Sequence, residues 1–156
     1  MRYFQKYILI LVISLLFLSA CDEDKYGDWK ILNEQWLENL KETHKNDPDF
    51  IVTESGLCYK IIHKGQHATP YSGSYLRARY TGKYITGKSF DSSAGTQPMP
   101  LSGTVQGWQE GILKIKNGGR ILLYIPYDLG YGTKASGAIP PYSTLEFDVE
   151  LLEVLN

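Results

Sequence analysis

Apolar residues follow three different patterns along the chain. From Tyr7 to Leu18 they are continuous apart from Ser14. From Asp28 to His44 they recur as Trp29, Leu32, Trp36, Leu37 and Leu40, the i, i+3, i+7, i+8, i+11 spacing of an amphipathic helix. Asp28 is the expected N-cap and Asn46-Asp47-Pro48 the expected stop. From Gly56 the period shortens to two, predicting strands over Leu57–His63, Tyr75–Tyr84, Arg120–Pro126 and Thr144–Val154. In the last of these Leu145, Phe147, Val149 and Leu151 alternate with Glu146, Asp148 and Glu150, as in a half-buried antiparallel strand. Trp108, Ile112, Leu113 and Ile115 predict a short helix ended by Asn117-Gly118-Gly119. The expected architecture is α+β: an antiparallel sheet around one short helix, preceded by an amphipathic helix. The tryptophan face of that first helix must be covered, by its own domain or by a second copy.

The first apolar run is about 12 residues long, well short of the roughly 20 that span a bilayer, and it follows Arg2 and Lys6. That is the layout of a cleaved leader, residues 1–20. Leu18-Ser19-Ala20-Cys21 resembles the lipobox of bacterial lipoproteins, which implies cleavage before Cys21, its acylation, and a lipid anchor in the cell envelope, expected in the outer membrane. An ordinary secretory leader is the competing account. Asp22, Glu23 and Asp24 after the cysteine are either a sorting signal or a solvated charge run. Residues 21–54 are then a linker with the amphipathic helix, and 55–156 the folded domain.

Composition narrows the function classes. The 156 residues carry 16 Lys+Arg against 17 Asp+Glu, with 43% hydrophobic and 21% charged, so the chain is globular and no nucleic-acid binder is expected. Two cysteines cannot build a disulfide scaffold or a zinc site. His44, His63 and His67 lie apart from other metal ligands and are expected at the surface. There is no phosphate loop and no GxSxG elbow, and Cys58 has no evident base beside it. No metal or other cofactor is expected.

Aromatic and aliphatic residues instead gather among turn glycines in ARYTGKYITGKSFDSS (78–93), VQGWQEGI (105–112) and GYGTKASGAIPPYSTLEFDVEL (130–151). In order and spacing these segments resemble FKBP-type peptidyl-prolyl cis/trans isomerases, over about Ser55 to Val154. The resemblance implies a twisted sheet wrapped around the helix, with a proline pocket between them. It assigns Trp108 to the pocket floor and Tyr80, Phe90, Val105, Tyr131, Ile139 and Phe147 to the walls. It also gives Asp91 a hydrogen-bonding role, and the Val105 N–H and Tyr131 hydroxyl the ligand's carbonyls. Where the family places phenylalanines this chain has TQPMPLSG (96–103), leaving Met99 as their substitute; Thr104 replaces a common aliphatic, and the loop 133–138 is shortened. The partners implied are proline-containing unfolded polypeptides and macrolide inhibitors. Two further expectations are a low-turnover binding module using the same pocket and dimerisation through the first helix.

Overall fold

The structure, a computed structural model, describes residues 25–155; the expected leader, the expected lipidation of Cys21 and Asp22–Asp24 lie outside that span. Helix α1 (Gly27–Thr43) is followed by β1 (Phe50–Val52), β2 (Cys58–His63), β3 (Tyr75–Tyr84), β4 (Ser89–Ala94), β5 (Met99–Pro100), helix α2 (Gln106–Ile112), β6 (Arg120–Ile125) and β7 (Leu145–Leu155). The strands form one antiparallel sheet in the order β1-β2-β6-β7-β3-β4, with β5 attached to β3. The α+β plan is the one the hydrophobic pattern predicts, and the sheet starts at Phe50, ahead of residue 55.

Alternation sorts the sheet's two faces. Ile121, Leu123 and Ile125 of β6 and Leu145, Phe147, Val149 and Leu151 of β7 point to the face that receives α2. The opposite face carries ion pairs between neighbouring strands: Arg79 with Glu150 at 2.7 Å, and Arg120 with both carboxylate oxygens of Asp148 at 2.8 and 2.6 Å.

Helix α2 starts two residues earlier than its apolar spacing predicts and is over by Ile112, after which Lys114 N–H bonds Gly111 O and Ile115 N–H bonds Ile112 O in a tighter turn. Ile115 is buried all the same. Gly107 and Gly111, one helical turn apart, meet the sheet: a Cβ on Gly107 would stand 2.5 Å from Ile125 and one on Gly111 2.3 Å from Leu123. A methyl group at either position would force the Ile125 or Leu123 side chain aside, so the glycines set the closeness of helix and sheet.

The later turns of helix α1 lie on the other face, while Trp29 near its start packs against the core cluster on the α2 side. Leu37 joins Phe50 and Cys58 in a separate buried cluster, with Trp36, Leu40 and Tyr124 packed on it. The helix thus covers its own domain. Two expectations about it are corrected. Its N-cap is Tyr26, with Asp28 in the first turn, and Leu32 is 54% exposed, as is neighbouring Ile31 at 51%. The position Leu32 was expected to occupy belongs to Asn33, which is 0% exposed. Asn33 Nδ2 donates to Trp29 O at 2.7 Å and its Oδ1 accepts the Thr144 N–H at 2.8 Å, tying the helix to the entry of β7. Apolar periodicity does not register a polar residue buried for its bonds. His44, expected at the surface, is half-buried and stacks on Phe50 with centroids 4.7 Å apart. Cys58 is a packed thiol whose pKa burial pushes up, as suits an unreactive cysteine.

Asn33→Leu should cost about 1–3 kcal/mol in urea unfolding because it orphans the buried Thr144 N–H, while Leu32→Asn should change stability by less than about 0.5 kcal/mol. The Arg120 guanidinium holds the Asp148 carboxyl below its usual value of 3.8. Its contribution is therefore full at neutral pH and is lost as pH falls below 3.8 through the lower folded value. Asp148→Asn should remove that part of the acid-side pH dependence, an effect of about 1 kcal/mol or less for so exposed a pair.

Candidate active site

The cavity between α2 and the sheet measures about 290 Å³ and is lined by Tyr80, Asp91, Met99, Gly103, Thr104, Val105, Trp108, Tyr131 and Phe147. Each element delivers its side chain for a local reason. Trp108 lies on the buried face of α2, 2% exposed, and meets the Tyr80 ring edge-on at 6.0 Å. Tyr80 and Phe147 come from the paired strands β3 and β7 and meet at 6.0 Å. Gly82 stands opposite Phe147 in register, and a Cβ there would lie 2.7 Å from both the Phe147 and the Phe90 rings. Its missing side chain lets those two rings meet edge-to-face at 5.5 Å over the strand.

Among the residues expected from sequence, Tyr80, Asp91, Met99, Thr104, Val105, Trp108, Tyr131 and Phe147 converge here. Phe90 and Ile139 do not line this cavity. Phe90 stands behind Phe147, and Ile139 is buried in the core cluster. Gly103, which sequence reasoning passes over, completes the wall; nothing in its pattern distinguishes it from a turn glycine.

The polar groups divide into those already bonded and those free. Tyr80 donates its hydroxyl to Asp91 Oδ2 at 2.9 Å, and Asp91 Oδ1 accepts the Ser92 N–H at 2.8 Å, so the carboxylate pins the wall. Burial, together with the Asp91 bond, pushes the Tyr80 phenol up to about 12. Burial likewise raises the Tyr131 phenol, with the nearby Asp91 adding to it. Thr104 turns its hydroxyl to Leu101 O at 2.8 Å, and Gln109 holds Thr104 O at 2.7 Å, fixing the loop that enters α2. Val105 is extended, the last residue before the helix, and its N–H finds no partner among the described residues; nor does the Tyr131 hydroxyl, on a residue 41% exposed. Two free donors, on Val105 and Tyr131, thus belong to residues that line one small cavity together with the rings of Tyr80, Trp108 and Phe147. Met99 is held through its backbone, where β5 pairs with Leu76, while its thioether side chain keeps its own flexibility.

Among the described residues no group of three His, Cys, Asp or Glu side chains is placed to hold a metal ion, and no helix is long and apolar enough to cross a membrane.

Known proteins agree with this geometry. A family described as FKBP-type peptidyl-prolyl cis-trans isomerase matches residues 66–152. The Escherichia coli FKBP-type 22 kDa peptidyl-prolyl cis-trans isomerase is 43% identical over 122 residues, which cover 76% of this chain and 57% of the relative. The Trypanosoma cruzi macrophage infectivity potentiator is 34% identical over 168 aligned positions, 98% of this chain and 85% of its own. The crystal structure of FkpA from Escherichia coli superposes with a TM-score of 0.79 at 32% identity, covering 97% of this chain and 72% of that one. The chain spans about half the length of several bacterial relatives it matches. The matched segment holds every residue lining the cavity, and the chain belongs to the FKBP-type peptidyl-prolyl cis-trans isomerase family.

Proposed function

We propose that this chain is a peptidyl-prolyl cis/trans isomerase acting on proline-containing segments of unfolded or partly folded proteins outside the cytoplasm. The observation that carries the proposal is the pairing of a ring-walled cavity with two free donors on its lining residues, the Val105 N–H and the Tyr131 hydroxyl. An X-Pro bond turns slowly because amide resonance sets a barrier of about 18–20 kcal/mol. Twisting the C–N bond removes that resonance and with it much of the amide's charge separation. A site that excludes water disfavours the polar planar amide relative to the less polar twisted one, and so lowers the barrier. Each tenfold gain needs about 1.4 kcal/mol of such preference.

In this scheme Trp108, Tyr80 and Phe147 grip the pyrrolidine ring while the acyl side rotates, and the two free donors hold carbonyls of the flanking chain. Asp91 acts through Tyr80, keeping its ring in place, and no proton has to move. The same pocket is the one that would accept a macrolide inhibitor. Met99 favours a second account, a binding module with little turnover, because a flexible thioether grips a ring less rigidly than a phenylalanine does.

A lipid anchor at Cys21 would hold the enzyme at the envelope, in the outer membrane. What supports it is the Leu18-Ser19-Ala20-Cys21 segment at the end of an apolar leader. Dimerisation through α1 would have to use its outward side, around Ile31 and Leu32, since Trp36 and Leu37 already pack on the sheet.

Exchange NMR on a short X-Pro peptide should show a cis-to-trans rate that rises with protein concentration. Binding of the peptide with no acceleration would leave the binding module standing and sink the isomerase. Asp91→Ala should lower kcat/KM about tenfold, the equivalent of one lost hydrogen bond's worth of positioning, with the circular dichroism spectrum unchanged. Because both site phenols titrate above the ordinary value of 10.0, their donors persist in base, and kcat/KM should show no alkaline fall below about pH 10. Cys21→Ser should move the protein from the membrane fraction to the soluble fraction; an unchanged membrane fraction would rule out the anchor.

A further inference from the structure

A second cavity, about 380 Å³, opens beside the first and is lined by Trp29, Tyr84, Lys88, Ser89, Phe90, Ala138 and Pro140. One ring separates the two. Phe90 meets Phe147, a wall of the first cavity, at 5.5 Å, and Tyr84, a wall of the second, at 5.0 Å.

The second cavity is a built feature. The Trp29 ring stands edge-on to Tyr84 at 6.3 Å, and its indole N–H donates to Ser143 Oγ at 3.0 Å. Ser143 in turn donates to Pro140 O at 2.8 Å, so one relay fixes the tryptophan and the proline that line the groove. Across it, the Tyr84 hydroxyl donates to Ala138 O at 2.9 Å and holds the loop in position. Asn33, through Trp29 O, locks the helix that brings the indole there. That helix precedes the family-matched segment, residues 66–152. Lys88 is exposed at the rim and makes no ion pair among the described residues.

We propose that this groove is a subsite for the same polypeptide whose proline occupies the first cavity, and that it takes an aromatic or long aliphatic side chain with an acidic neighbour. The inference rests on the first cavity being the proline site. Three observations select this occupant over an unrelated partner. The groove adjoins the proline cavity, with the Phe90 ring standing between a wall of one and a wall of the other. It is walled by three aromatic rings and a proline, which suits an apolar side chain. Its rim carries a free cation, which suits a carboxylate beside that side chain. The Phe147 and Tyr84 rings are no more than roughly 10 Å apart through Phe90, a span that about three residues of extended chain cover. Trp29 is thereby a specificity-determining residue contributed from outside the isomerase core.

The test uses the full chain and two families of heptapeptides, with Phe or Ala three residues from proline on either side, and Glu or Lys next to it. The Phe-Glu peptide on one side should exceed its Ala counterpart in kcat/KM by about tenfold, the scale of discrimination an apolar pocket provides. Trp29→Ala should bring that ratio toward one. Lys88→Glu, at the surface, should reverse the preference between Glu and Lys peptides. Intermolecular NOEs supply a readout independent of turnover: the peptide's proline should contact Trp108, and its Phe ring should contact the Trp29 indole. Proline contacts at Trp108 without Phe contacts at Trp29, or an unchanged Phe-to-Ala ratio in Trp29→Ala, would overturn the subsite and leave the proline site intact. A peptide that contacts Trp29 while its proline avoids Trp108 would instead overturn the proline site and, with it, the shared-substrate inference.

Discussion

The site depends first on how closely α2 lies against β6. Two absent side chains, at Gly107 and Gly111, allow an approach that alanine at either position would keep only by pushing Ile125 or Leu123 aside. That closeness places Trp108 at the cavity and starts the helix just after Val105, an extended residue whose N–H is unbonded. Gly82 plays a comparable part on the sheet, where the Phe147 and Phe90 rings share the space above it. Interiors packed to crystalline density tolerate such contacts only where each partner is the right size, so three glycines determine the shape of a site made of rings.

The charge pattern follows from the same division of faces. One side of the sheet is used for the cavity, and the other is left to the later turns of α1 and to cross-strand ion pairs such as Arg120 with Asp148. At the cavity the hydroxyls of Tyr80 and Thr104 are already bonded, and Gln109 holds the Thr104 carbonyl from outside the lining. What remains is a small ring-walled volume with two donors left unbonded, those of Val105 and Tyr131.

The central strands and both helices were legible in the sequence because their burial is periodic: β7 shows it in the alternation of Leu145, Phe147, Val149 and Leu151 with acids. The strands β1, β4 and β5 were not, because they are short or lie at an edge, and Ser89–Ala94 has hardly any apolar residues to alternate. Most of the cavity's walls were legible only through their resemblance to a family, since aromatics at strand spacing read equally well as core. Phe90 and Ile139 show the limit of that approach. Neither lines the cavity: Phe90 packs between Phe147 and Tyr84 and borders the next groove, and Ile139 is buried in the core cluster. Asn33 had no signal at all, because its value lies in two bonds to residues that are distant in sequence or hidden in the helix backbone.

All three of the chain's tryptophans sit at separate working surfaces: Trp108 beneath the first cavity, Trp29 beside the second, and Trp36 against Tyr124 where α1 meets the sheet. The molecule therefore carries its own optical reporters. With two indoles replaced by phenylalanine, the emission of the third follows a single event, whether occupancy of one cavity, occupancy of the other, or the lifting of the N-terminal helix, and the three can be timed against one another in the same protein.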